Sequence, residues 1–241
     1  MKRNESLLYD AHFREIFHRT VFIELKEMEP IASSVDVLPD ANGVIAYGFQ
    51  EERANMTFLV FASARLDEPE DESLPVTLTP GPAVHDTYLR FRYTDVENCQ
   101  FLTEDKTRAA LAAGGTDAGW LDRFEGTKDT VARVLEPQDP ERRALLELEL
   151  IDRSRNLAYP EFVSLTLYNG KLAPEMVWVR PVRMGVDGEF YGYLAHEPRG
   201  RYGLTTTDEI MFRAYDNGYG GIQLMWDGRA PEAPDEPTSL S

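Results

Sequence analysis

"EMVWVRPVRMGVDGEFYGYLAHEPRGRYGL", residues 175–204, is the most regularly patterned stretch of the 241-residue chain. Along an extended strand successive side chains alternate. Met176, Trp178, Arg180, Val182 and Met184 therefore share one face, and Val177, Val179, Pro181 and Arg183 the other. Both sets are largely apolar, which reads as the wall of a small barrel. Gly185–Val186–Asp187–Gly188 reads as a tight turn. "EFYGYLA" then returns as a second strand, in which Gly192 lets another backbone or a bulky side chain approach closely. "FVSLTLY" (162–168), 208–214 and "GIQLMW" (221–226) add three more short strands. Five such antiparallel strands curl into a small SH3-like barrel, expected with Trp178 and Leu194 inward.

Upstream the pattern changes twice. Asn4 is expected to cap a helix running to Thr20, carried by the i, i+3, i+4 set Phe13, Ile16 and Phe17. "VFIEL" then turns β-like, and "GVIAYGF" (43–49) and "MTFLVFASARL" (56–66) read as a hairpin. The carboxylates at 67, 68, 70, 71 and 72 surround a proline and read as an exposed loop. "VTLT" and "TYLRFRY" (87–93) resemble two further strands. From Thr103 a capping residue, an apolar helical spacing and the stop Gly114–Gly115 predict short helices over 103–135. "GGTDAG" (114–119) links them. Asp139–Pro140 opens another helix, while "ALLELEL" fits helix by propensity and strand by alternation. "RAPEAPDEPTSLS" is proline-rich, acidic and poor in large apolar groups, the composition of a disordered tail. The expected fold class is α+β: an N-terminal sheet with short helices over 1–155, an antiparallel SH3-like small barrel over 156–228 and the tail 229–241.

The net charge is −17, spread along the chain: 11 Lys and Arg face 21 Asp and Glu in residues 1–120, and 14 face 21 in 121–241. Such a field repels nucleic-acid phosphates and acidic membranes, and it attracts a basic protein partner and raises its association rate. No run approaches the ~18 apolar residues of a membrane helix, and the polar start "MKRNES" lacks a secretory core, so a cytoplasmic location is expected. The single Cys99 forms no internal disulfide and reads as a small, partly buried hydrophobe.

Glu175 ahead of Trp178, then Gly192, Leu194, Glu197–Pro198, Tyr202–Gly203–Leu204 and the acidic turn Asp208–Glu209 before Ile210 resemble a widespread bacterial small-barrel domain of unknown function. Relatives of that domain occur among immunity proteins of polymorphic toxin systems. The resemblance spans roughly 160–215 and rests on structural residues, so it implies the barrel before it implies an activity. The chain departs from the pattern at Thr207–Asp208, where the family tends to have a Gly-Asp turn. A second departure is "DNGYGG" (216–221), where an Asp-Trp pair often closes the domain.

Candidate chemistry is sparse. His12, His18, His85 and His196 stand far apart in none of the spacings that assemble a metal site, and each reads as a surface or capping residue. The serines lack a G-x-S-x-G setting, and "GGTDAG" holds no phosphate-binding Lys, so no cofactor is expected. The densest polar group is His196–Glu197 followed by Arg199, Arg201 and Tyr202. Its two guanidinium forks suit a carboxylate or phosphate, or else pair with local acids. His196, Arg199, Arg201 and Tyr202 are the candidate binding residues. Acidity, the lack of catalytic motifs and the resemblance point to a non-enzymatic protein-binding protein, of immunity type, with a basic partner. The alternatives are a small-ligand or peptide sensor using the same loop, and an enzyme whose site is assembled from distant segments.

Overall fold

The computed structural model describes residues 6–28, 36–53, 55–69, 71, 73–85, 87–117, 119–216, 218, 221–226 and 228. Asn4, Glu70, Glu72 and the tail 229–241 lie outside the described residues. The chain is α+β, and its contacts divide it into two units, 1–138 with 157–160 and 139–156 with 161–241.

The first unit is built on an antiparallel sheet. Its strands β1 (Ser6–Leu7), β2 (Thr20–Glu24), β3 (Gly43–Gln50), β4 (Met56–Asp67), β5 (Thr77–Pro80), β6 (Arg90–Arg92) and β7 (Gln100–Leu102) lie in the order β1-β7-β2-β3-β4-β5, with β6 paired to the start of β4. The β3–β4 hairpin follows the apolar runs that predict it, and both strands are buried over most of their length because both faces are covered. On one face Tyr47, Phe49, Leu59 and Phe61 join Leu111, Trp120, Phe124 and Val131 in a single core. Leu111 belongs to α3 (Glu104–Ala113) and Val131 to α4 (Glu125–Val134); Phe124 ends the 3-10 turn Leu121–Phe124. On the other face α1 (Phe13–Ile16) abuts β3 so closely that a Cβ at Gly48 would collide with the Ile16 carbonyl oxygen.

Two expectations change here. The single helix from Asn4 to Thr20 is replaced by β1, a 3-10 turn (Leu8–Asp10) and the four-residue α1. The cause is long-range pairing: Ser6 and Leu7 join β7, and the Leu8 and Tyr9 N–H groups donate to the Cys99 and Glu97 carbonyls at 2.9 Å. The apolar set Phe13, Ile16 and Phe17 is nonetheless buried as its spacing implies. Of 87–93 only Arg90–Arg92 is strand; Tyr93 starts α2 (Tyr93–Val96) and donates its hydroxyl to Leu8 O at 3.2 Å. Burial, reinforced by Glu97 and Asp10, pushes the Tyr93 pKa up to about 12.

The second unit opens with α5 (Pro140–Leu146), whose cap Asp139 accepts from the Glu141 and Arg142 N–H groups. The ambiguous "ALLELEL" is helix up to Leu146; a turn and the 3-10 helix Glu149–Ser154 follow. Then β8 (Val163–Leu167), β9 (Glu175–Met184), β10 (Phe190–Leu194), β11 (Glu209–Asp216) and β12 (Ile222–Trp226) close into a barrel in the order β10-β11-β12-β8-β9. Four of its pairs are antiparallel, and the β12–β8 pair that joins the ends of the run is parallel. A bulge at Tyr191/Gly192 sets Gly192 against Pro181, where a Cβ would strike the Arg180 carbonyl oxygen. Leu194 is inward, as expected. Trp178 is not: Val177 and Val179 fill the interior from β9, and alternation leaves Trp178 half-buried on the outer face. The indole inside the barrel is Trp226, edge-on to Tyr202 with ring centroids 6.0 Å apart.

Candidate functional site

The loop after β10 is tied to β9 through its backbone. The Ala195 N–H donates to Trp178 O at 2.8 Å. The Glu175 carboxylate accepts from the N–H groups of Arg199 (2.7 Å) and Gly200 (2.8 Å). These two bonds hold the Glu175 carboxyl below the ordinary 4.5 of a glutamate, with Arg199 and His196 adding favourable charge. Gly200 fits because a Cβ there would meet the Tyr202 ring at 2.6 Å.

The four candidate residues separate on this scaffold. His196, Arg199 and Arg201 are exposed, whereas Tyr202 turns into the barrel core and donates its hydroxyl to Ala173 O (2.5 Å) and Leu167 O (3.4 Å). Tyr202 thus anchors the loop that presents the other three. Neither Arg199 nor Arg201 forms a salt bridge among the described residues. Beside the loop, β9 carries Met176, 72% exposed, and the half-buried Trp178 on its outer face. The loop backbone is thus bonded to the strand whose outer face carries Met176 and Trp178.

A second feature is invisible in local sequence. A cavity of about 190 Å³ lies between α5 and β9, walled by Leu145, Ile151, Pro181 and Val182. Glu161, 7% exposed, stands in it, in an ion pair with Arg142 and with its other oxygen 3.7 Å from Arg180 Nε. Arg155 is buried alongside, donating to Asp152 Oδ1 (2.9 Å) and to the carbonyls of Leu145, Leu146 and Leu148 at the end of α5. It terminates the helix there and complements its dipole. Residues 142, 161 and 180 share no sequence motif, so only the fold brings them together.

In the first unit His18 departs from the expected surface role. At φ 55° it is held in the left-handed region, stacked on Phe17 and 2.8 Å from the buried carboxylate of Glu136. His12, His85 and His196 are exposed, and among the described residues no three His, Cys, Asp or Glu side chains are grouped to hold a metal ion. Burial raises the Cys99 thiol pKa. Among the described residues no helix is long and apolar enough to cross a membrane. No protein-family model, curated protein or solved structure matches the chain.

Proposed function

We propose that this chain is a non-enzymatic protein-binding protein of immunity type, whose partner carries a basic surface and docks on the barrel at Met176, Trp178, His196, Arg199 and Arg201. The observation that carries this reading is the fixed presentation of that surface. Met, Trp and Arg are the residue types over-represented where proteins meet, and a backbone already pinned by Glu175 loses little entropy on docking. The net charge of −17 supplies long-range attraction for a basic partner, while Arg199 and Arg201 meet acids at the centre of the contact and set its register. The resemblance of 160–215 to a small-barrel domain with relatives among immunity proteins supports a toxin-like partner.

The test is the association rate of the purified partner as ionic strength rises. Screening shortens the reach of charge to about 8 Å at physiological salt, so the on-rate is expected to fall several-fold between low and physiological salt while the off-rate changes little. A salt-independent on-rate would contradict the steering.

A further inference from the structure

The cavity beside Glu161 has the features of a receptor for a small carboxylate. Arg142 is committed to Glu161, and the buried Arg155 to Asp152 and three carbonyls. Arg180 differs: its nearest carboxylate oxygen, on Glu161, is 3.7 Å from Nε, and its N–H groups take no hydrogen bond among the described residues. It stands at the mouth of the cavity with its side chain 53% exposed. A guanidinium fork in that state matches a carboxylate oxygen pair. Behind it Leu145, Ile151, Pro181 and Val182 form an apolar wall. The volume of about 190 Å³ equals about six waters, room for an aliphatic chain of about four to six carbons.

We propose that this cavity binds a short aliphatic monocarboxylate, its headgroup on Arg180 and its chain against the apolar wall. Glu161 keeps Arg142 when the ligand arrives, so no buried charge loses its partner. Two further acids line the cavity, Asp139 and Glu141; Asp139 accepts from the Glu141 and Arg142 N–H groups, which spreads its charge into the start of α5. The wider negative field is screened over about 8 Å and acts on approach more than on the bound state. This site is separate from the loop surface and stands or falls independently of the protein-binding reading.

Hexanoate titrated into the full-length protein, followed by amide NMR and calorimetry, tests it, with hexylamine as the probe of opposite charge. The expected result is saturable binding of hexanoate with shifts at Arg180 and Val182, none with hexylamine, and affinity reduced about tenfold or more in Arg180→Gln. Filling the cavity from its wall with Val182→Trp is expected to weaken binding as well. Arg180 and Val182 lie on the outer-facing side of β9, away from the barrel core, so both variants are expected to fold, Arg180→Gln with some loss of stability from its 3.7 Å contact with Glu161. Should either fail to fold, the two probes on the parent protein still decide. No saturable hexanoate binding, equal affinity in Arg180→Gln, or hexylamine binding at the same residues would each overturn the proposal.

Discussion

Tyr202 and Arg199 sit three residues apart and do opposite work. The Tyr202 ring closes the barrel against Trp226 and its hydroxyl satisfies Ala173 O, so its energy is spent inside the fold. Arg199 contributes its backbone N–H to Glu175 and leaves its guanidinium in solvent. Because the folded Glu175 carboxyl is held below its ordinary 4.5, that anchor is intact at higher pH and is lost as pH falls through the lower folded value. Tyr202→Phe is expected to lower unfolding free energy by about 1 kcal/mol through the lost hydrogen bond. Arg199→Ala with Arg201→Ala is expected to change it by less than about 0.5 kcal/mol, as surface substitutions do. Denaturant unfolding of both variants checks the division; a double Arg variant destabilised as much as Tyr202→Phe would make the arginines structural.

At the scale of elements, β9 explains how an alternating strand can be recognised and yet turned the wrong way. Period two fixes that Val177 and Trp178 face opposite sides, but both are apolar and neither states which side is the core. Register decides it: Val177 pairs Leu165 and Val179 pairs Val163, both inside the barrel. Accordingly Trp226→Ala is expected to cost about 3–5 kcal/mol and Trp178→Ala about 1–2 kcal/mol, measured by denaturant titration. Equal losses would put Trp178 in the core after all. The β3–β4 hairpin, the helices over 103–135 and the five barrel strands were legible because each is a local pattern bounded by its own turns. β1 and β7 were not, since strands of two and three residues carry no periodicity and exist only through their pairing. The same limit applies to the sites. The polar cluster at 196–202 stands out in sequence, whereas its anchor Glu175 lies 24 residues away and the Glu161 cavity joins three separate segments.

For the whole molecule the dominant quantity is charge. Forty-two acidic side chains against 25 basic ones leave −17, yet residues 161–226 hold eight acids against six Lys and Arg, so the barrel sequence is nearly balanced within an acidic chain. On the proposed reading a basic partner is attracted by the chain as a whole and discriminated by a local surface. Quantitative affinity capture from the native host tests this division of labour. The parent protein and a Met176→Ala, Arg199→Ala, Arg201→Ala variant of equal stability are compared at low and high salt. One basic protein is expected to be enriched on the parent, released by high salt and depleted at least about tenfold on the variant. Equal recovery of every protein on parent and variant would contradict it.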